Sequence, residues 1–161
     1  MQNDRAIISC GVLAAIYIAI GIPYGFVLWS AETRCLTYHF FHANLFHLLA
    51  NLFCLWQIIR TGRASWRRLG IAFLVASIVP LIYDQHIVGF SNILYALTGL
   101  SFFSFSKQTK WTILIVSAAM IPFPHIAGVP HFISLAFGIA LAFAKIKIDQ
   151  IRSDSRSATY R

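Results

Sequence analysis

Long apolar segments that follow one another with only short breaks most constrain what this chain can fold into. Of its 161 residues, 58% are hydrophobic and 11% are charged, whereas a soluble domain has about 25% charged residues. A helix that crosses a bilayer needs roughly 20 residues, so these segments leave no room for a separate soluble domain. The sequence therefore predicts an integral membrane protein with one compact domain.

Six apolar segments are predicted to be helices, and they cover 6–29, 43–60, 68–84, 91–106, 111–123 and 131–148. The first segment is too long for the apolar core of a signal peptide, so we interpret it as a retained anchor. The shorter segments can cross a bilayer that thins around them. The predicted fold is all-α, a polytopic bundle of six transmembrane helices over 1–148. A polar, mobile cytoplasmic tail is predicted at 149–161.

Basic residues mark the ends of these segments and predict their orientation. With the N-terminus inside, each of the 13 basic residues except Arg34 lies at a cytoplasmic end, as the positive-inside rule requires. Both termini are therefore predicted to be cytoplasmic, and so small a chain points to a bacterial inner membrane. This placement also explains the net charge of +8. The sequence has no basic patch with interleaved aromatic residues, which would indicate nucleic-acid binding.

The cysteines give no sign of a disulfide framework or of a metal site. Cys10, Cys35 and Cys54 show no CxxC spacing, and a cysteine inside an apolar run behaves as a small hydrophobic residue. We therefore predict neither a disulfide framework nor a zinc site.

Three groups of polar or small residues lie in segments where polar residues are costly and commonly functional. They are His42, His47 and Asn51 in HANLFHLLAN, Gly89, Ser91, Tyr95 and Gly99 in GFSNILYALTG, and His131, Ser134, Gly138 and Ala142 in the last segment. Each has a simpler interpretation. A serine such as Ser91 is more often a helix N-cap than a nucleophile. Asn51 can simply form a hydrogen bond between helices, and the small residues can form a packing surface.

The predicted topology places the three groups near the outer side of the membrane. An enzyme that activates a serine needs a base within hydrogen-bond reach, and His131 can serve Ser91. The side chains of His47 and Asn51, with the backbone N–H of Ser91, can stabilise the anionic intermediate. No acidic residue is suitably placed as a third member. The residues therefore predict a Ser-His dyad, whose imidazole Tyr95 can orient by stacking.

The order and spacing of these motifs resemble those of the rhomboid family of intramembrane serine proteases. HANLFHLLANLF is similar to the family's HxxxxHxxxN signature, which carries over to His42, His47 and Asn51. GFSNILYALTG is similar to GxSGxxYAxxG, which carries over to Gly89, Ser91, Tyr95 and Gly99. Gly138 matches the family's helix-packing glycine, and Arg34 matches the arginine that precedes the first signature.

The resemblance implies a six-helix protease that cleaves the transmembrane segments of other membrane proteins near their outer ends. Its partners would be transmembrane protein substrates and membrane lipid, without cofactor or metal. Asn92 stands where most members have glycine, directly after the serine. The alternative is therefore a catalytically inactive rhomboid-like protein that binds transmembrane clients.

Two further alternatives concern the histidines. His125 looks closer to the family's HxxG, but Pro130 would then lie inside the catalytic helix, where proline is disfavoured. With His131 as the base the same proline precedes the helix start, so we favour His131. A small b-type haem carrier with paired histidine ligands is a different class of function. It leaves Ser91 and Asn51 unexplained.

Overall fold

The computed structural model of the chain describes residues 38–40, 42, 45–83, 89–123 and 127–159. This part consists of helices and turns without a strand, which confirms the all-α class for these residues. The α-helices are α1 (Leu45–Arg60), α2 (Trp66–Ile82), α3 (Ser91–Leu100), α4 (Lys107–Ala119) and α5 (Gly128–Thr159). Two short 3-10 helices cover Tyr38–Phe40 and Phe102–Ser104. The predicted segment 6–29, Arg34 and His125 lie outside the described residues.

The α-helices overlap the other five predicted segments. The predicted end of α1 at Arg60 and the predicted start of α3 at Ser91 are confirmed, whereas the other ends differ. Helix α2 begins at Trp66 because the side chain of Ser65 accepts a hydrogen bond from Arg68 N at 3.3 Å, and Ser106 caps α4 in the same way. These serine caps place polar first turns inside the helices, which a search for apolar runs overlooks. Helix α4 ends at Ala119, shortly before Pro122, since the residue before a proline disfavours helix.

The last helix is longer than the predicted segment 131–148, because α5 continues through most of the predicted tail at 149–161 and ends at Thr159. The exposed ion pair between Lys145 and Asp149 spans one turn, the spacing that supports an isolated helix. No glycine or proline interrupts the stretch. The start is also earlier than predicted, so Pro130 lies in the first turn, where its missing N–H is tolerated.

Helix α3 is the centre of the described fold. It packs most extensively against α5 and also against α2 and α1. Seven of its ten residues are buried. Ile93 and Leu97 pack with Ala72 and Ala76 of α2, while Leu94 packs with Leu55 of α1. A helix apolar on nearly all sides is expected in the interior, so the residues at its start are held by three neighbouring helices.

Two glycines set the close crossing of α3 and α5. A Cβ atom built on Gly99 would lie 2.9 Å from the Cα atom of Gly138, and one built on Gly138 would lie 2.9 Å from the Cα atom of Gly99. The backbones therefore approach closely, as small residues allow between helices. This contact is one turn beyond Tyr95 and thereby sets how α5 presents His131 to α3.

Large apolar side chains also cover the outward faces of the described helices. Phe46 is 83% exposed and Leu81 74% exposed. Others are Leu45, Leu49, Phe53, Leu74, Trp111, Ile115 and Leu141. By length and composition one helix within the described ranges, Gly128–Arg156 of α5, can cross a membrane. Exposed apolar surface of this kind marks a membrane or a protein partner, and supports membrane association.

Candidate active site

Ser91 and His131 meet inside the protein at the starts of α3 and α5. The Oγ atom of Ser91 lies 2.7 Å from Nε2 of His131, and both side chains are buried. Ser91 is the first residue of α3, but its hydroxyl does not cap the helix, because the N-cap is Phe90 without a side-chain hydrogen bond. The structure therefore brings together the two residues of the predicted dyad.

The direction of this hydrogen bond depends on the tautomer of His131. Nδ1 of His131 is buried and has no hydrogen-bond partner in the described part of the chain. When Nδ1 carries the ring proton, the hydroxyl of Ser91 donates its hydrogen to Nε2. In this tautomer His131 is an acceptor toward Ser91, as a general base must be.

In a second hydrogen-bonded pair of a serine and a histidine, the histidine is the donor. Nε2 of His39 lies 3.1 Å from Oγ of Ser77, but that hydroxyl donates its hydrogen to the carbonyl oxygen of Phe73 at 2.8 Å. His39 must therefore donate to Ser77, and it cannot remove a proton from it. This pair ties the 3-10 helix Tyr38–Phe40 to α2 and carries no nucleophile.

Tyr95 holds the imidazole of His131 from one side. Their rings stack with centroids 4.5 Å apart and planes at 9°, as predicted from the sequence. The hydroxyl of Tyr95 donates to Sδ of Met120 at 3.4 Å, which fixes the tyrosine against the end of α4. Stacking restricts rotation of the ring and so keeps Nε2 directed at Ser91.

The turn before Ser91 packs onto His47 and Asn51. Gly89 has φ +108° and is buried. A Cβ atom built on it would lie 2.6 Å from Cε1 of His47 and 3.4 Å from Nδ2 of Asn51. Only glycine fits this conformation and this space. The two side chains predicted to stabilise an anion are thus directed at the turn that leads into Ser91.

The amide of Asn51 is an available donor at this turn. Nδ2 of Asn51 is buried and has no hydrogen-bond partner, although buried polar groups are nearly always paired. His42 is buried behind His47, and their rings meet edge to face with centroids 5.2 Å apart. An oxygen atom that enters beside Gly89 would meet the Asn51 amide and the imidazole of His47.

No carboxylate of the described residues lies near the site. The acidic residues among the described ranges are Asp149 and Asp154, at the opposite end of α5 from His131. These ranges also hold no cluster of three potential metal ligands. Proton transfer between serine and histidine, assisted by neutral donors, is the chemistry that these residues can perform.

One contact at the site was missed by sequence analysis. Nδ2 of Asn92 donates to the hydroxyl of Tyr38 at 3.1 Å, across 54 positions of sequence. The signal was an asparagine where the rhomboid motif has glycine, since a buried amide requires a partner. Nothing in the stretch TYHFFHAN indicated that Tyr38 would supply it.

Comparison with known proteins gives this chain no family. Its sequence matches no model of a protein family, and none of the curated proteins matches it.

Proposed function

We propose that this chain is an intramembrane serine endopeptidase of the rhomboid type, which cleaves transmembrane segments of other membrane proteins. The observation that carries the proposal is the buried hydrogen bond between Ser91 Oγ and His131 Nε2, 2.7 Å long. The stacked ring of Tyr95 and the available amide of Asn51 support it. The matches to both rhomboid signatures add to these contacts.

In the proposed reaction, Ser91 Oγ attacks the carbonyl carbon of a peptide bond while His131 Nε2 takes the hydroxyl proton. The oxyanion binds the Asn51 amide, His47 and a backbone N–H at the start of α3, where the first N–H groups lack helical acceptors. His131 then protonates the leaving amine, which departs and leaves an acyl-enzyme. A water molecule, deprotonated by His131, hydrolyses the ester and restores Ser91.

The proposed arrangement is a bundle of six transmembrane helices with both termini in the cytoplasm. The exposed apolar side chains and the placement of the basic residues support it. Because a transmembrane helix hides its carbonyl groups in its own hydrogen bonds, the cleaved stretch must unwind. We therefore propose substrates with glycine, proline or other weak helix formers near the outer boundary.

Cleavage of a transmembrane reporter by the purified chain in detergent tests this function. We expect Ser91→Ala and His131→Ala each to lower the rate by at least about 1,000-fold, because either change removes the proton transfer. Ser77→Ala is the matched control, since Ser77 is also buried beside a histidine. It should retain activity within about threefold. His125→Ala should also remain active.

Labelling with a serine-directed fluorophosphonate separates the two functions derived from the resemblance. The protease labels at Ser91, and Ser91→Ala does not label. A wild-type chain that neither cleaves nor labels, yet binds a transmembrane segment, would be the inactive client-binding protein. Activity that persists in His131→Ala but is lost in His125→Ala would identify the other histidine as the base.

A further inference from the structure

Asn92, the residue after Ser91, is completely buried and is linked to a distant part of the chain. Its Nδ2 donates to the hydroxyl of Tyr38 at 3.1 Å, and that hydroxyl donates to the carbonyl oxygen of Ala76 in α2 at 2.8 Å. A hydroxyl has one hydrogen, so the bond to Ala76 leaves the Tyr38 oxygen to accept from Asn92. Asn92 therefore donates to Tyr38, and Tyr38 donates to Ala76. These two hydrogen bonds connect the start of α3 to α2.

Tyr38 also binds the chain on the other side of Ser91. Its backbone carbonyl oxygen accepts a hydrogen bond from Gly89 N at 3.0 Å. One residue thus holds the turn two positions before the serine and one position after it. Tyr38 is itself 1% exposed, so this anchor is fixed in the interior.

The turn between these two hydrogen bonds carries the groups that the proposed reaction uses. Ser91 and Asn92 are the first two residues of α3, so their backbone N–H groups have no acceptor within the helix. His131 belongs to a different helix, α5. A rotation of the turn would therefore move the hydroxyl of Ser91 and both N–H groups relative to the base.

We propose that Asn92 and Tyr38 are positioning residues that fix the turn from Gly89 to Asn92 and thereby align Ser91 with His131. This inference rests on the proposed function. In this inference Asn92 supports catalysis, whereas the inactive alternative treats it as a replacement of glycine that abolishes catalysis. In this chain the asparagine restrains the turn, and the hydroxyl of Tyr38 is its partner.

Steady-state cleavage of the transmembrane reporter by the full chain tests this role, with active sites counted by fluorophosphonate labelling. We expect Asn92→Ala, Asn92→Gly and Tyr38→Phe each to lower kcat per labelled site by about 3- to 10-fold, the effect of one hydrogen bond. KM should change by less than about twofold, since no substrate contact is removed. The double variant Tyr38→Phe with Asn92→Ala should lose no more kcat than the more impaired of the two single variants, because both changes remove the bond between Asn92 and Tyr38.

The variant Asn92→Gly distinguishes an asparagine that restrains the turn from one that impairs catalysis. It makes the chain more similar to the rhomboid motif, so a disabling asparagine predicts a higher kcat, and that result would overturn the inference. Ser101→Ala is the control, since it removes the hydrogen bond of a buried serine to the carbonyl oxygen of Arg63 at the other end of α3, away from the turn. Its kcat per labelled site should stay within about twofold of wild type.

Two other outcomes would also overturn the positioning role. One is independent losses that multiply in the double variant. The other is a loss in the labelled fraction alone, with kcat per site unchanged, which indicates a role in stability only. Cleavage that depends on Ser91 but not on Asn92 or Tyr38 rejects this inference and leaves the proposed function standing. A wild-type chain without cleavage or labelling rejects both.

Discussion

At the scale of single residues, Gly89 allows the candidate site to form. Its φ of +108° belongs to a region that other residues rarely adopt, and His47 and Asn51 occupy the space that a side chain would need. A methyl group there would push the turn away from both side chains or push His47 out of place. The alignment of Ser91 therefore depends on a residue that has no side chain.

We expect Gly89→Ala to lower the rate of reporter cleavage by about 100-fold, because displacement of a reacting group by an ångström has effects of this size. Unfolding should also become easier by about 1–3 kcal/mol from the strained backbone. The measurements are kcat with titrated active sites and denaturation in mild detergent.

Gly62→Ala is the control for backbone strain alone, since Gly62 also has a positive φ, 71°, but is exposed after the end of α1. It should lose about 1 kcal/mol of stability and retain its kcat. Equal losses of kcat in both variants would contradict the packing argument at Gly89.

The residues of the site differ in how far the sequence could predict them. His47 and Asn51 share one helix face by their spacing, and Ser91 and Tyr95 share another, so these pairs were predicted before any contact was known. The bond from Asn92 to Tyr38 was not predictable, because it joins positions 54 apart through a 3-10 helix. Periodicity reports which face a residue occupies but not which distant side chain meets it.

At the scale of elements, the crossing of α3 and α5 positions the dyad. We expect Gly138→Ala to lower the free energy of unfolding by about 1–3 kcal/mol, because the added methyl group meets the backbone of Ala96 and Gly99 and cannot be accommodated by a side-chain rotation. The cleavage rate should fall as well, since α5 carries His131. Denaturation in detergent and the initial rate are the two measurements.

Gly70→Ala provides the matched comparison. Gly70 also lies inside a helix, α2, but a Cβ atom there would meet nothing within 4 Å. This variant should gain about 0.5–1 kcal/mol from the reduced freedom of the unfolded chain. If Gly138→Ala were also stabilised, the close contact between the two helices would be wrong.

The elements themselves were predictable as helices, whereas most of their ends were not. Apolar runs marked the buried parts of α1 to α5, but the caps at Ser65 and Ser106 and the polar turns after Ile148 carry no hydrophobic signal. These ends are determined by hydrogen bonds between side chains and backbone and by an ion pair, which depend on individual residues. Composition averaged over a segment does not report them.

At the scale of the whole molecule, acid should unfold the protein partly through His39. Burial lowers the pKa of His39 from 6.5 to about 3. The folded state therefore binds a proton more weakly than the unfolded state does. Stability is complete above about pH 6.5 and falls between pH 6.5 and 3 by about 1.4 kcal/mol per unit.

The measurement is the free energy of unfolding in detergent at several pH values, for wild type and His39→Gln. Glutamine can still donate to Ser77 but does not titrate. We expect the variant to be less stable at pH 7.5 and to lose stability less steeply below pH 6.5. Parallel curves for the two proteins would show that His39 does not contribute to acid unfolding.

The unpaired amide of Asn51 has a consequence for the balance between folding and reaction. A buried amide that lacks an acceptor costs about 1–3 kcal/mol, and the Asn51 amide beside Gly89 has no acceptor among the described residues. In the proposed reaction, the oxygen that develops negative charge at this position accepts a hydrogen bond from this amide. The side chain that weakens the fold on its own would then be one that stabilises the tetrahedral intermediate.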